Sequence, residues 1–533
     1  MVLNKTMALY LSPECLQYIL TYLEDDNHTL HSCLLVNRFW CHNTVKILWS
    51  QPWRSYDITQ ASATSATKLI QTYVNCLSDK VVLLKNGINY QVSSTPQAYD
   101  YASFLRALDY DGMYWSISQW LDSCWLYRML NYEEELKSDT ESRLSLDDNG
   151  IENYCEYFDE AEEKERKTNL IAKELCNLFM SRCTTFHSLR LETKAIQSNF
   201  PFLPSCNDPH NYLSNLRQLI CLAEYKSDLL IAISRVCKDL HRICAGFPLS
   251  VLWKSHYETD AQNLVTLTEA QSLVTLIEAQ NRLQSVCLFG YKRFVSVIVD
   301  AFKRHADSLT SLELMYTDFR DNDDFSSLTT LSLCKNLKTL KIHNCFIPPN
   351  DELMPLASFS KLEEFDFCNE WNPLYPLPQR EFWELMFHNT KNTLYKMSLW
   401  WLRTDPKDGY QIIEPISKQC LNINILHLPV LWIDEILDIL KHCTQLKIFS
   451  FSGDDFDANE SLIQMGKQIP ITLRSLTIKD GHMGGWTFTE KSLECFLKNC
   501  NASLEIVDLT LCSCVTDRHY EILSQRGIIT GLV

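Results

Sequence analysis

The chain has 533 residues and a formal net charge of −17, with 46 % apolar and 22 % charged residues. That is ordinary globular usage, long enough for two or three structural units, and it argues against global disorder. The acidic balance disfavours non-specific binding to nucleic acid or to an anionic membrane. No apolar run reaches the roughly 18 residues a membrane helix needs, and the first dozen residues are too short for a signal sequence. The 22 cysteines are scattered among apolar residues. In a non-secreted chain they are expected to be reduced, buried small hydrophobes.

The first predicted element starts at Ser12, a good N-cap, with Pro13 at the first helical position and Glu14 in the first turn, where the helix dipole favours negative charge. Leu16, Ile19, Leu20 and Leu23 follow the i, i+3, i+4, i+7 spacing of an amphipathic helix. Asp25-Asp26-Asn27 breaks it. A second helix is expected from near Thr29, carrying Leu30, Cys33, Leu34 and Val36, and a third from Phe39 to Trp49, with Trp40, Val45 and Leu48 apolar. A unit of about 40 residues lies at the lower limit for independent folding. Its Leu and Trp content exceeds what one small core can hide, so it calls for a partner.

These residues resemble the F-box family, whose pattern opens with Leu-Pro-x-Glu-Ile/Leu-Leu and closes with Val-x-Arg/Lys-x-Trp and Leu-Trp. Leu11, Glu14, Leu16, Ile19, Leu20 and Leu23 match the first half; Val36, Arg38, Trp40, Leu48 and Trp49 match the second. The departure is Ser12 where the family usually has proline, with Pro13 one position later. The resemblance covers residues 8–53. It implies docking onto a Skp-type adaptor held by a cullin, through Leu11, Pro13, Glu14, Leu16, Ile19, Leu20, Leu34, Val36, Trp40 and Trp49. The chain would then be the substrate receptor of an SCF-type ubiquitin ligase.

Residues 54–130 are aromatic-rich with helical spacing, as in Tyr101, Phe104, Leu105 and Leu108, and are expected to form a packed helical linker. Residues 131–168 carry Glu133-Glu-Glu, Asp147-Asp and Asp159-Glu-Ala-Glu-Glu with few aliphatics, and are expected to be a disordered acidic loop.

From residue 183 to 533 a unit recurs with apolar residues at relative positions 1, 4 and 6. It begins as Phe186, Leu189, Leu191, continues through Leu283, Val286, Leu288 and Leu309, Leu312, Leu314, and ends as Leu504, Val507, Leu509. From residue 283 successive starts lie 23 to 32 residues apart. Cys345 and Cys512 complete Leu-x-x-Leu-x-Leu-x-x-Cys, so the segment resembles the irregular leucine-rich repeats of fungal-type F-box receptors. The implied fold is α/β: a three-helix F-box, a helical linker, then a solenoid with a curved parallel sheet and outer helices. Stretch 241–282 has no clean unit. It holds near-copies, Asn263–Gln271 and Ser272–Gln280, whose nine-residue offset would turn them to opposite sides of one helix.

Strand alternation sends positions 4 and 6 inward and their neighbours to the concave face. That face would carry Cys287, Glu313, Lys341, Asp366, Ser398, His427, Ser450, Thr477 and Asp508. A second column would hold Phe289, Met315, His343, Cys368, Trp400, Pro429, Ser452, Lys479 and Thr510. Glu313, Lys341, Asp366, Trp400, His427 and Asp508 are the candidate target-binding residues. Trp400 is a candidate anchor because aromatics dominate interface hot spots; the alternative is that it fills a gap beside a long repeat.

No phosphate loop, dinucleotide fingerprint, nucleophile elbow or His-Glu-x-x-His is present. Cys495, Cys500, Cys512, Cys514 and His519 lack the spacing of paired zinc knuckles. The expectation is therefore a non-enzymatic adaptor, without cofactor or metal, in the cytoplasm or nucleus. Two rivals are a binding scaffold that never joins a cullin, and a divergent enzyme, which would show converging carboxylate, His or Cys groups in a deep pocket.

Overall fold

The computed structural model describes residues 12–54, 62–88, 90, 97–138, 152–183, 186–192, 213–222, 227–247, 266–319, 326–346, 350–369, 378–401, 406–420, 422–453, 456–481 and 485–530. The chain divides into two compact units, Met1–Leu240 and His241–Val533. The repeats expected over 183–533 therefore begin inside the first unit and fill the second.

The first unit opens with α1 (Pro13–Thr21), α2 (Asn27–Leu34) and α3 (Arg38–Leu48). Each start is capped: Ser12 Oγ, as expected, accepts the Cys15 N–H at 3.3 Å, while Asp26 Oδ1 accepts that of Thr29 at 2.9 Å and Asn37 Oδ1 that of Trp40 at 3.0 Å. The second and third helices therefore start at Asn27 and Arg38, slightly before the expected Thr29 and Phe39. Leu16, Leu20, Leu30 and Cys33 form the small core, with Leu23, Trp40, Ile47 and Leu48 packed against it. Next come α4 (Ala63–Cys76) and α5 (Val81–Lys85). The linker is not wholly helical: strand β1 (Ala107–Asp109) precedes α6 (Tyr110–Ser138). Aromatic rings hold this region together. Tyr73 stacks on Trp53 at 5.7 Å and meets Phe179 edge-on at 4.9 Å.

The acidic loop is corrected. Residues 131–138 continue α6, and 152–168 belong to α7 (Glu152–Arg182); the remaining 139–151 lie outside the described residues. A count of carboxylates hides the pairs that make α7 a helix. Glu163 meets Arg166 at 2.6 Å and Lys167 at 3.2 Å, and Lys164 reaches Asp122 of α6 at 2.7 Å. Its C-terminal half then buries Ile171, Leu175 and Phe179.

In the first unit β1 pairs in parallel with β2 (Ser188–Leu191), and β2 with β3 (Gln218–Cys221). In the second unit the parallel ladder runs through β4 (Arg242–Gly246), β5 (Ser285–Phe289), β6 (Ser311–Met315), β7 (Thr339–His343), β8 (Glu364–Asn369) and β9 (Lys396–Trp401). It continues through β10 (Ile425–Leu431), β11 (Ile448–Gly453), β13 (Ser475–Asp480) and β15 (Ile506–Asp508). A separate two-stranded patch joins β12 (Phe456–Asp457) to β14 (Trp486–Thr487). Each ladder strand pairs with the next in sequence, and helical turns return the chain between them, which is the leucine-rich-repeat solenoid.

Two ladder strands, β1 and β4, are not among the units expected from the sequence. Stretch 241–282 does hold a unit, because β4 carries Ile243 and Ala245 inward after Leu240, all buried. Leu105, Leu108 and Tyr110 around β1 follow the same spacing and are also buried. The near-copies share one helix, Leu267–Glu278, capped at Thr266, while 263–265 lie outside the described residues. They do face opposite sides: Leu267 is 55 % exposed and its counterpart Leu276 is buried. The repeat cysteines close each coil to its predecessor, with Cys345 Sγ–H donating to the Leu314 carbonyl at 3.2 Å and Cys512 to that of Ile478 at 3.1 Å.

Candidate docking faces

The first candidate lies on the N-terminal helices. Leu16 and Leu20 are fully buried, so they support the surface and do not form it. Leu34 and Trp40 are half-buried, while Pro13 and Glu14 are exposed at the first turn. Glu14 sits slightly below the ordinary carboxylate range, held by its own backbone N–H and the Ser12 hydroxyl. Ile19 and Val36 are exposed as expected for contact residues. Trp49 is half-buried; its ring lies 4.3 Å from that of Tyr101 and 5.3 Å edge-on from Tyr73, so it also ties α3 to the residues that follow in its own unit. Leu11 lies outside the described residues.

The structure adds residues the sequence reading passed over. Tyr18, Tyr22, Leu35 and Phe39 are all exposed, Leu35 at 88 % and Tyr22 at 74 %. Tyr18 and Tyr22 stand one turn apart with hydroxyls 2.6 Å from each other and rings edge-on at 5.2 Å. A helical wheel centred on Leu16 and Leu20 would have placed them opposite the core. Leu35 and Val36 fall in the corner between α2 and α3. Both helix ends there are fixed by caps, which leaves these side chains no interior to enter.

The second candidate is the inner face of the sheet in the second unit. The backbone register sets Cys287, Glu313, Lys341, Asp366, Ser398, His427, Ser450, Thr477 and Asp508 as successive partners, in the predicted order. The second column is corrected at β10. A bulge between His427 and Val430 makes Val430, not Pro429, the partner of Ser452. Proline has no N–H for the ladder, and the extra residue lets Leu428 stay in the core. Thr510 lies past the end of β15.

Most charges on this face are matched internally. Glu313 lies 3.4 Å from Lys341 and 3.8 Å from Arg242, Asp366 lies 3.1 Å from His343, and Lys396 lies 3.3 Å from Glu364. Asp508 is buried, and its carboxylate accepts the Thr510 N–H at 3.0 Å and hydroxyl at 2.7 Å, so it closes a turn and is not presented to a target. Trp400 is half-buried, with the Lys479 ammonium 5.0 Å above its ring. Burial holds His427 below the usual imidazole range, and Lys479 and Lys396 push the same way against a smaller opposing pull from Asp366.

Among the described residues no group of three or more His, Cys, Asp or Glu side chains is arranged to hold a metal ion, and no helix is long and apolar enough to cross a membrane. No family model matches the chain, and no curated protein matches it. Similar solved structures include the leucine-rich-repeat protein LegL7 from Legionella pneumophila, at 10 % identity over 61 % of this chain and 93 % of that one, with a TM-score of 0.33. The Rad7 and Elc1 complex from yeast matches at 11 % identity over 59 % and 78 %, TM-score 0.35. An internalin from Listeria monocytogenes matches at 12 % over 53 % and 93 %, TM-score 0.28. Likeness at this level says nothing of what this chain binds.

Proposed function

We propose that the chain is the substrate-recognition subunit of an SCF-type ubiquitin ligase, a non-catalytic receptor whose N-terminal helices dock a Skp-type adaptor and whose repeats hold a target protein. One observation carries this reading. A three-helix module with a small closed core exposes Tyr18, Ile19, Tyr22, Leu35, Val36 and Phe39, large apolar side chains that ordinary surfaces do not concentrate. An adaptor would cover them in an interface of about 800 Å² per side. The inner sheet face would then present a bound target to a charged ubiquitin-conjugating enzyme, and proximity would supply the rate enhancement without any side chain of this chain entering the chemistry.

The test is capture of a purified Skp-type adaptor by the full chain. Leu35→Glu with Val36→Glu is expected to weaken capture at least tenfold while leaving the circular dichroism spectrum intact, since both side chains are exposed; about 1.4 kcal/mol suffices for that change. Undiminished capture by the double variant, or none by the wild type, would overturn the reading. Co-purification of adaptor without cullin would favour a scaffold outside the ligase.

A further inference from the structure

Along the inner face, one stretch differs from its surroundings. Toward the start of the second unit the cations have carboxylate partners: Arg242 and Lys341 share Glu313, and Lys396 meets Glu364. Lys479 has no carboxylate partner among the described residues, and its ammonium is placed over the Trp400 ring instead. The floor between them is built from small hydroxyl residues. Ser398, His427 and Ser450 are consecutive register partners, and Ser452 partners Lys479. None of the side chains of Ser398, Ser450, Ser452, His427 or Trp400 makes a hydrogen bond with a described residue. Ser398, Ser450 and Ser452 are buried in the floor, Trp400 and His427 are half-buried, and none of their polar atoms is fully enclosed without a partner.

Every one of these groups can donate. Trp400 offers an indole N–H, Lys479 an ammonium, His427 a ring N–H, and the three serines hydroxyls. Unused donors gathered on one face, with a lysine that no carboxylate neutralises, suit an acceptor that carries charge. The bulge at Pro429 belongs to this arrangement, because it steps the backbone between His427 and Val430 and sets Val430 in register with Ser452, the partner of Lys479. The chain as a whole is strongly acidic, so this positive recess is a local exception and selects by short-range contact.

We infer that the Trp400–His427–Lys479 recess, floored by Ser398, Ser450 and Ser452, receives an anionic side chain, a carboxylate or a phosphorylated hydroxyl, from an extended segment of the bound protein. This rests on the reading of the sheet's inner face as the target-binding face and not on adaptor docking. The groups facing His427 are Lys396 on β9, Lys479 on β13 and Asp366 on β8, whose carboxylate lies 3.1 Å from the His343 ring. With two lysines and burial keeping the ring neutral, an arriving anion would stabilise the imidazolium. Binding is therefore accompanied by proton uptake and strengthens as pH falls from about 8 to about 6.

The experiment uses the full chain and three short fluorescein-labelled peptides, alike except that they carry glutamate, phosphoserine or glutamine, read by fluorescence anisotropy. The glutamate and phosphoserine peptides are expected to bind roughly tenfold more tightly than the glutamine peptide, a difference that Lys479→Gln removes. A preference for phosphoserine alone would assign a phosphorylated target; equal preference assigns a carboxylate as sufficient. His427→Gln is expected to flatten the pH dependence of glutamate-peptide binding. Equal binding of all three peptides, no binding by either anionic peptide, or a wild-type affinity indifferent to pH overturns the inference. Adaptor capture, measured on the same preparation, reports separately on the ligase reading.

Discussion

Asp109 shows how one residue on this sheet couples to pH. It ends β1, mostly enclosed, and burial raises its carboxyl to about 6 although the Gly112 N–H at 2.9 Å and the nearby Arg190 both favour the charged form. A carboxyl whose folded value lies above its unfolded one stabilises the fold when protonated. That contribution is full below the unfolded value near 4 and is lost as pH rises through about 6. Asp109→Asn keeps an acceptor for Gly112 and removes the cost of ionisation. It is expected to stabilise the protein by roughly 1–3 kcal/mol at neutral pH and to change little at about pH 4, measured by thermal melts at the two pH values. A neutral-pH loss of stability in that variant would mean that the pairing with Arg190 outweighs burial. At the same scale, the exposed apolar positions divide cleanly. The sequence reading found Ile19 and Val36 but not Tyr18, Tyr22, Leu35 or Phe39, because it followed one side of each helix and gave no weight to the corner between them.

At the scale of the element, the near-duplicated nonapeptide shows that closely similar local sequence can take opposite environments. The offset of nine residues is two and a half helical turns, so Thr268 and Gln271 face out where Ile277 and Gln280 are buried. The helix is held at its start by a reciprocal cap. Thr266 Oγ1 accepts the Glu269 N–H at 3.2 Å, and Glu269 Oε2 accepts the Thr266 N–H at 2.6 Å. Thr266→Ala is expected to cost about 1 kcal/mol in chemical denaturation, with Glu269→Gln costing less because the amide oxygen can still accept. Equal stability of Thr266→Ala and wild type would show that tertiary packing alone fixes the helix start. The bulge in β10 is the other element-scale lesson. Pro429 was visible as a residue that cannot serve a central ladder, yet which neighbour would replace it in register depended on Leu428 keeping its place in the core.

For the molecule as a whole, the cysteines report on the two units together. Cys183, Cys237, Cys345, Cys443 and Cys512 are buried, and burial pushes each thiol up to about 12, whereas Cys15 is exposed on α1. Brief alkylation of native protein near neutral pH is expected to label Cys15 and to spare those five until denaturant is added, read by peptide mass spectrometry. Labelling of Cys345 or Cys512 in native protein would mean that the coils open where these thiols close onto the preceding carbonyl. The docking proposals also belong to this scale, since they assign the exposed helices and the inner sheet face to different partners.

What could be read from the amino acids was whatever depends on short-range periodicity. Leucines at positions 1, 4 and 6 set which side of each strand is core, Ser12 set where the first helix begins, and the register column from Cys287 to Asp508 followed from alternation alone. The rest depended on contacts between segments far apart in the chain. Trp49 meets Tyr73 and Tyr101, and Lys164 of the stretch expected to be disordered reaches Asp122 of α6, contacts that no local pattern announces. A side chain's polarity is local information; whether it is covered, paired or left open is settled by which distant residues the fold brings against it.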